Sequence, residues 1–301
     1  MSSGPSLSNN RLAGIILVLV SAVLFSAKSV LIKLAYREQV DAISLLALRM
    51  VFALPFFLLM AWLSSRGQAR APLTRRDWLT LSLLGIAGYY LASLFDFLGL
   101  RYISASLERL ILFLYPTITV FISALFLHKP IRPLTWLAIA VSYAGMAAVF
   151  GGEPLRHGPH LLLGSLLVFG SALAYAGYLV GSGEVLPRIG ATRATGIVLS
   201  ISCLCCLLNF TLVNPLVSLL VSPRIYAIGL AIAVFCTVLP ATLLNNGIKR
   251  IGASQAALIG GVGPVSTIFL GNIFLGETIS ALQGLGAALV LGGVLIISLN
   301  K

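Results

Sequence analysis

The chain has 301 residues, of which 59% are hydrophobic and 9% are charged, and its formal net charge is +12. Soluble domains carry about 25% charged residues, so this composition excludes an ordinary soluble protein. Apolar runs of about 20 residues recur from end to end, and each is long enough to cross ~30 Å of hydrocarbon. The sequence therefore predicts an integral membrane protein.

Ten apolar segments follow one another along the chain, and we number them spans 1 to 10. They show no strand-like alternation, and only helices and closed barrels can span a bilayer, so the predicted fold class is an all-α integral membrane protein with ten transmembrane helices. The end of span 7 is ambiguous, because Asn214 and Pro215 terminate it or the apolar stretch continues to Val221. The predicted spans are 12–36, 42–64, 78–100, 103–127, 134–151, 161–184, 194–214, 225–248, 252–275 and 280–299.

The basic residues are divided unequally between the two sides of the membrane. Segments on the side of the N-terminus hold twelve of the 20 Lys and Arg residues, the loops on the other side hold four, and the remaining four lie within spans. Because Lys and Arg accumulate in cytoplasmic loops, we expect a multi-pass protein of the cell (inner) membrane with both termini in the cytoplasm. The basic residues are scattered singly in short loops, so nucleic acid is not an expected partner.

The two halves of the chain resemble each other when the sequence is shifted against itself. A shift of 148 positions aligns 99–150 with 247–298 without gaps and gives 16 identities over 52 positions. A shift of 150 places Phe25 over Tyr175. Each half holds five spans, an odd number, so the second half enters the membrane with the opposite orientation. Two inverted five-helix repeats are typical of alternating-access transporters, whose substrate site lies between the repeats.

The stretch GASQAALIGGVGPVSTIFLGNIFLGETIS, which begins at Gly252, adds a more specific signal. Together with ten spans in two repeats and a glycine-rich last span, it resembles the drug/metabolite transporter superfamily, EamA type. The first repeat departs from the pattern, with Leu127, His128 and Lys129 in place of LGE. The resemblance implies transport of small metabolites, often outward, and a central cavity lined by spans 1, 3, 4, 6, 8 and 9, with spans 5 and 10 at the periphery. The predicted organisation is a cytoplasmic N-terminal tail at 1–11, a first EamA-like repeat at 12–151, an outer linker at 152–160 and a second EamA-like repeat at 161–299.

Spans 1 to 4 place ionisable side chains in one band of the outer half of the membrane. Such groups are costly in hydrocarbon, so we expect them to face the bundle interior and one another. Glu108 is the candidate proton carrier and Asp96 the reserve candidate, while Arg109 is expected to hold a carboxylate or a substrate anion. The alternative is that the two acids form purely structural bridges. The candidate substrate-cavity residues are Lys28, Arg49, Tyr89, Asp96, Glu108, Arg109, Tyr115, Tyr175, Tyr178, Asn245 and Asn246.

Two prolines and a glycine stripe predict local helix geometry. Pro116 and Pro264 fall at mid-span in equivalent helices, and each removes a backbone hydrogen bond. They predict helix kinks that line the site or flex as gates, and the alternative is simple bending for packing. In span 10, Gly284, Ala288 and Gly292 form a small-residue stripe that predicts a close helix contact.

The sequence favours a transporter over an enzyme. The spans contain no histidine, and no phosphate-binding loop or nucleophile elbow is present. Cys203 and Cys206 have CxxC spacing but lack two further metal ligands, so no metal site and no cofactor are predicted. We expect a secondary active transporter of an amino acid or another carboxylate-bearing metabolite that works by alternating access, with export favoured. An integral membrane enzyme acting on a lipid-like substrate, or a channel or scaffold, remains the alternative. The expected partners are a small-molecule substrate, the lipid bilayer, a coupling proton and, as a further candidate, a second copy in a homodimer.

Overall fold

The structure is a computed structural model, and it describes residues 7–66, 72–103, 105–128, 130–150, 160–275 and 281–299. Within these residues the regular secondary structure is entirely helical. Within the described residues, seven segments, in spans 1 to 4 and 6 to 8, are long and apolar enough to cross a membrane, and spans 5 and 10 are shorter apolar helices. Spans 4 and 9 are each divided into two helices. The predicted ten-span helical fold is confirmed. The helices are Leu7–Arg37 (span 1), Ala42–Ser65 (span 2), Arg75–Gly99 (span 3), Ala105–Leu112 and Tyr115–Leu127 (span 4), Pro133–Phe150 (span 5), Leu161–Ile189 (span 6), Ala191–Val213 (span 7), Pro223–Ile251 (span 8), Ala253–Gly260 and Gly263–Leu275 (span 9) and Ala281–Leu299 (span 10).

Local signals in the sequence set where several spans begin and end. The Asp41 carboxylate accepts hydrogen bonds from the backbone N–H groups of Ile43 and Ser44 and so caps the start of span 2. Span 7 ends at Val213, and only a single 3₁₀ turn, Leu216–Leu219, follows it. Asn214 is extended because the residue before a proline avoids the helical region, which resolves the ambiguity of this span.

Close glycine contacts repeat as inverted copies. A Cβ atom added at Gly99 of span 3 would lie 3.1 Å from the carbonyl oxygen of Gly164 in span 6. One added at Gly247 of span 8 would lie 3.1 Å from the carbonyl oxygen of Gly14 in span 1. The residue pairs are related by shifts of 148 and 150, the same shifts that align the sequence. The packing of span 3 on span 6 therefore has its inverted counterpart in the packing of span 8 on span 1.

Two hydrogen bonds between the spans are also related by the shifts of 148 and 150 positions. Ser171 Oγ donates to the Ala92 carbonyl oxygen at 2.7 Å, and Ser21 Oγ donates to the Pro240 carbonyl oxygen at 2.7 Å. Spans 2 and 7 pack on each other, as do spans 5 and 10, and a twofold axis in the membrane plane maps each of these pairs onto itself. The fold is therefore two inverted five-helix repeats.

The close contact at Gly247 gives a test of this packing. Gly247→Val is expected to lower stability by about 1–3 kcal/mol, because the added side chain would overlap Val18 and the Gly14 backbone. Gly284→Val is the matched control, since Gly284 is exposed and also lies within a helix. Thermal unfolding of the purified protein in detergent, followed by tryptophan fluorescence, should show a clearly lower midpoint for the Gly247 variant only. Equal midpoints would argue against the inverted contact.

The predicted contact face of span 10 is wrong. Gly284 and Gly292 have no atom of the described residues within 4 Å of an added Cβ, and Ala288 is exposed. The close approach to span 5 instead uses Gly293, where an added Cβ would lie 2.8 Å from the Ala138 carbonyl oxygen. A helix this rich in glycine carries more than one small-residue stripe, so spacing alone does not identify the packed face.

Candidate functional site

A cavity of about 120 Å³ lies between the two repeats. Its wall is built from spans 1, 3, 4, 6, 8 and 9, with Arg49 as the contribution of span 2. Among the described residues, spans 5 and 10 contribute nothing to it, as the resemblance implied. Of the residues predicted for the site, the wall contains Lys28, Arg49, Tyr89, Tyr115, Tyr175 and Pro264.

Spans 4 and 9 are each divided into two helices beside the cavity. The first helix of span 4 ends at Leu112 and the second begins at Tyr115, while span 9 is divided between Gly260 and Gly263. These four residues all line the cavity. The two breaks lie 148 positions apart, at equivalent places in the repeats. Divided helices at this depth are typical of transporter substrate sites.

The two prolines mark the start of the second helix in each divided span. Pro116 occupies the first turn of its helix, where the missing backbone N–H costs no intrahelical bond. Pro264 lies at the same place in its repeat, directly after Gly263. The predicted kinks are therefore complete breaks, because two non-helical residues precede each new helix.

The breaks are packed against each other and against span 1. The Tyr115 hydroxyl lies over Gly260, where an added Cβ would be 2.5 Å from it. Ser26 Oγ of span 1 lies 2.8 Å from the Gly263 carbonyl oxygen and also bonds to the Ala22 carbonyl oxygen at 2.7 Å. Span 1 of the first repeat therefore contacts the backbone at the start of the second helix of span 9.

Four tyrosines form a continuous row of rings across spans 4, 6 and 3. Tyr115 meets Tyr175 edge-on at 5.2 Å between centroids, Tyr175 stacks on Tyr178 at 6.1 Å, and Tyr178 meets Tyr89 edge-on at 5.5 Å. Tyr178 is 1% exposed and lies behind the wall rather than in it. The row therefore gives one side of the cavity a rigid aromatic lining.

The two predicted asparagines do not reach the wall. Asn245 Nδ2 donates to the Tyr178 hydroxyl at 2.6 Å and to Thr195 Oγ1 at 2.8 Å, so it fixes Tyr178 from behind. Asn246 Nδ2 donates to the Thr242 carbonyl oxygen one turn earlier in its own helix. The Asn245 amide thus joins spans 6, 7 and 8, the Asn246 amide bonds within span 8, and neither residue lines the cavity.

The described part of the wall carries two cationic side chains, and they differ in their surroundings. Lys28 Nζ forms an ion pair with Asp96 Oδ2 at 2.5 Å, and Asp96 itself is buried behind the wall. Arg49 is 2% exposed, and its Nε and Nη2 atoms have no hydrogen-bond partner among the described residues. The Arg49 guanidinium carbon lies 4.8 Å from the centroid of the Phe97 ring, a cation–π contact that covers one of its faces.

Glu108 is placed away from the cavity wall. Its side chain is completely buried and accepts a hydrogen bond from Ser29 Oγ at 3.2 Å, between spans 4 and 1. Glu108 and Tyr115 are seven residues apart, a spacing that predicts one shared face on a continuous helix, and the break after Leu112 removes that relation. Arg109 lies in the same short helix, but its side chain is outside the described part of the structure.

Sequence reasoning missed five residues of span 1 that line the cavity, and three of them, Ser21, Phe25 and Ser26, have polar or aromatic side chains. The repeat carried a signal for two of them. A shift of 150 relates Ser21 to Ser171 and Phe25 to Tyr175, and both partners are in the wall. Ser26 has no such signal, because its bond to the Gly263 carbonyl depends on the break in span 9.

Comparisons with known proteins agree with this architecture. The EamA-like transporter family matches residues 12–151 and 162–299. The uncharacterized transporter YcbK of Bacillus subtilis is 31% identical over 95% of this chain and 91% of its own length. The uncharacterized inner membrane transporter YedA of Escherichia coli is 26% identical over 81% of this chain and 78% of its own length. A protein crystal structure aligns with a TM-score of 0.76 over 95% of this chain and 96% of that one, at 19% identity, which shows similarity of fold alone.

Proposed function

The chain belongs to the EamA-like transporter family, and from this premise we propose that it is a secondary active transporter of a small carboxylate-bearing metabolite. The observation that carries the proposal is the cavity between the inverted repeats, whose described wall holds Lys28 and Arg49 but no acidic side chain. A cationic, partly aromatic cavity favours an organic anion or a compound that carries a carboxylate. Export across the cell membrane is the proposed direction.

Alternating access follows from the inverted packing. The contact of span 3 with span 6 and that of span 8 with span 1 are equivalent, which supports this mechanism, since inverted repeats can exchange conformations and so open the cavity to one side and then to the other. The substrate would stay near the divided helices while the repeats move around it. The same divided helices supply the places where the backbone can bend.

A proton is the proposed coupling ion, and Glu108 is its proposed carrier. Glu108 is a fully buried carboxyl group between spans 1 and 4, and both spans contribute to the cavity wall. Protonation would remove its charge when the spans move past each other. Asp96 is the reserve carrier, because its ion pair with Lys28 lies directly behind the wall.

Flux measurements in proteoliposomes test the proposed function. Purified protein should exchange radiolabelled carboxylates and amino acids in counterflow, with rates that saturate as substrate concentration rises. Protein-free liposomes give the background rate. Conductance without saturation would indicate a channel, and turnover of added lipids would indicate an enzyme.

Both termini are proposed to lie in the cytoplasm, and cysteine labelling tests this orientation. In a variant without the four native cysteines, Val217→Cys should react with a membrane-impermeant maleimide in intact cells. Arg76→Cys should react only after the membrane is permeabilised, since the basic-residue bias places it inside. Both positions are exposed and near helix ends, so access is comparable. The reverse labelling pattern would contradict the orientation.

A further inference from the structure

Arg49 has the features of a ligand-binding group. It is 2% exposed, it belongs to the cavity wall, and Phe97 covers one face of its guanidinium. The two nitrogens without a partner among the described residues are Nε and Nη2. Both atoms have almost no accessible surface, so a ligand carboxylate would reach the guanidinium from the part of it that forms the cavity wall. A guanidinium binds the two oxygens of a carboxylate with paired N–H groups. Buried charged donors are costly to leave unpaired, so a carboxylate bound there is strongly favoured.

The charges around the cavity indicate how many charges the ligand carries. Lys28, the other cation of the wall, is already neutralised by Asp96. The described residues of the wall therefore present one uncompensated positive charge, that of Arg49, and no carboxylate. A monoanion balances this charge. The ammonium group of a free amino acid would enter the same cavity without an acidic partner, which carries a large desolvation cost.

The other residues of the wall indicate the chemical character of the ligand body that fits the cavity. Phe25, Leu112 and Phe113 contribute apolar surface, and Tyr115 and Tyr175 contribute the edges and faces of their rings. Such a lining suits a flat or branched hydrocarbon body and offers few groups to a polyhydroxylated one.

We propose that Arg49 binds the carboxylate of a monoanionic organic acid with an apolar body, and that the cavity discriminates against the amino acid with the same skeleton. The inference rests on the proposed transport function and narrows its substrate class. Arg49 is then the residue that determines specificity, and the Lys28–Asp96 pair keeps the second cation from attracting a dianion.

Matched pairs of compounds test the discrimination. Binding of 3-phenylpropanoate and 4-methylpentanoate to the purified protein is compared with binding of phenylalanine and leucine, which differ from them only by the amino group. We expect each acid to bind about tenfold more tightly or better than its amino acid. Titration calorimetry in detergent or nanodiscs gives the dissociation constants on the unmodified protein.

Variants of Arg49 test whether this residue binds the carboxylate. Arg49→Gln should abolish binding of both acids, and Arg49→Lys should weaken it because lysine keeps the charge but lacks the paired donors. Arg224→Gln removes the same charge at an exposed position in the first turn of span 8 and should bind as the wild type does. If Arg49→Gln does not fold, the weaker binding expected for Arg49→Lys and the comparison of each acid with its amino acid still test the inference.

Four results would overturn the inference or separate it from the transport proposal. Equal affinity for acids and amino acids would overturn the inference, and so would wild-type binding by both Arg49 variants. Saturable amino acid counterflow that does not depend on Arg49 would also overturn it and leave the transport function standing. Arg49-dependent binding of the acids without flux of any compound would support the inference and contradict transport.

Discussion

Asp96→Asn is expected to destabilise the protein by about 3–5 kcal/mol, because it would leave the Lys28 ammonium without its charged partner in a mostly buried place. Asp96 is 1% exposed and its Oδ2 atom lies 2.5 Å from Lys28 Nζ. The loss should appear as a lower unfolding midpoint in denaturant titrations of the purified protein. It should exceed the loss from breaking an exposed ion pair, because water cannot replace the missing partner of a buried charge.

Two control variants show whether the effect comes from a broken charge pair. Lys28→Met combined with Asp96→Leu removes both charges and should recover most of the lost stability, since no unpaired charge remains. Glu38→Gln breaks the exposed pair with Arg224 and should cost less than about 1 kcal/mol. A single Asp96→Asn variant as stable as the wild type would show that the pair does not stabilise this fold.

Glu108→Gln is expected to remove the dependence of flux on a pH gradient. Glutamine has nearly the same shape and can still accept a hydrogen bond from Ser29, but it cannot take up and release a proton. Flux driven by an imposed gradient should therefore fall to the level measured without one, while counterflow at equal pH continues. Both rates are measured in the same proteoliposome preparation.

Asp96 provides the comparison for this experiment. The Lys28→Met, Asp96→Leu double variant also lacks a carboxyl group near the cavity, but it should keep its gradient dependence if Glu108 is the carrier. A gradient-dependent flux that survives Glu108→Gln and disappears in the double variant would transfer the role to Asp96. If neither variant changes the gradient dependence, the buried acids act only as structural partners.

The number and order of the spans could be predicted because hydropathy depends on composition alone. The exact ends of the spans were harder to predict. The apolar stretch of span 6 predicts an end at 184, but the helix continues to Ile189, and Arg188 at its end pairs with Asp77 at the start of span 3. That helix end is held by a tertiary contact, which hydropathy does not contain.

The candidate site was predictable where the local helix is regular and less so where it is broken. Lys28 and Tyr175 lie on regular α-helix, and both are in the cavity wall. Tyr89 is also in the wall, although it lies in a π-helical segment of span 3, Leu84–Leu91. Glu108 precedes the break in span 4, so the helical spacing that related it to Tyr115 did not apply. Pro116 predicted an interruption of the helix in span 4. A proline is compatible with a kink or with the start of a new helix, and the sequence does not distinguish the two.

The inverted packing has a thermodynamic consequence for the resting protein. If the two repeats were identical, turning the molecule over would interconvert its outward-facing and inward-facing forms, and their free energies would be equal. The repeats differ at the charged positions, since Lys28 corresponds to Tyr178 and Glu108 to Ala256. The two forms are therefore unequal in free energy, and a gap of a few kcal/mol leaves the minor one at about 0.1–10% of the population. Under the proposed mechanism, substrate and proton would close that gap by binding the minor form more tightly, and the charges of the first repeat would determine which side the empty protein faces.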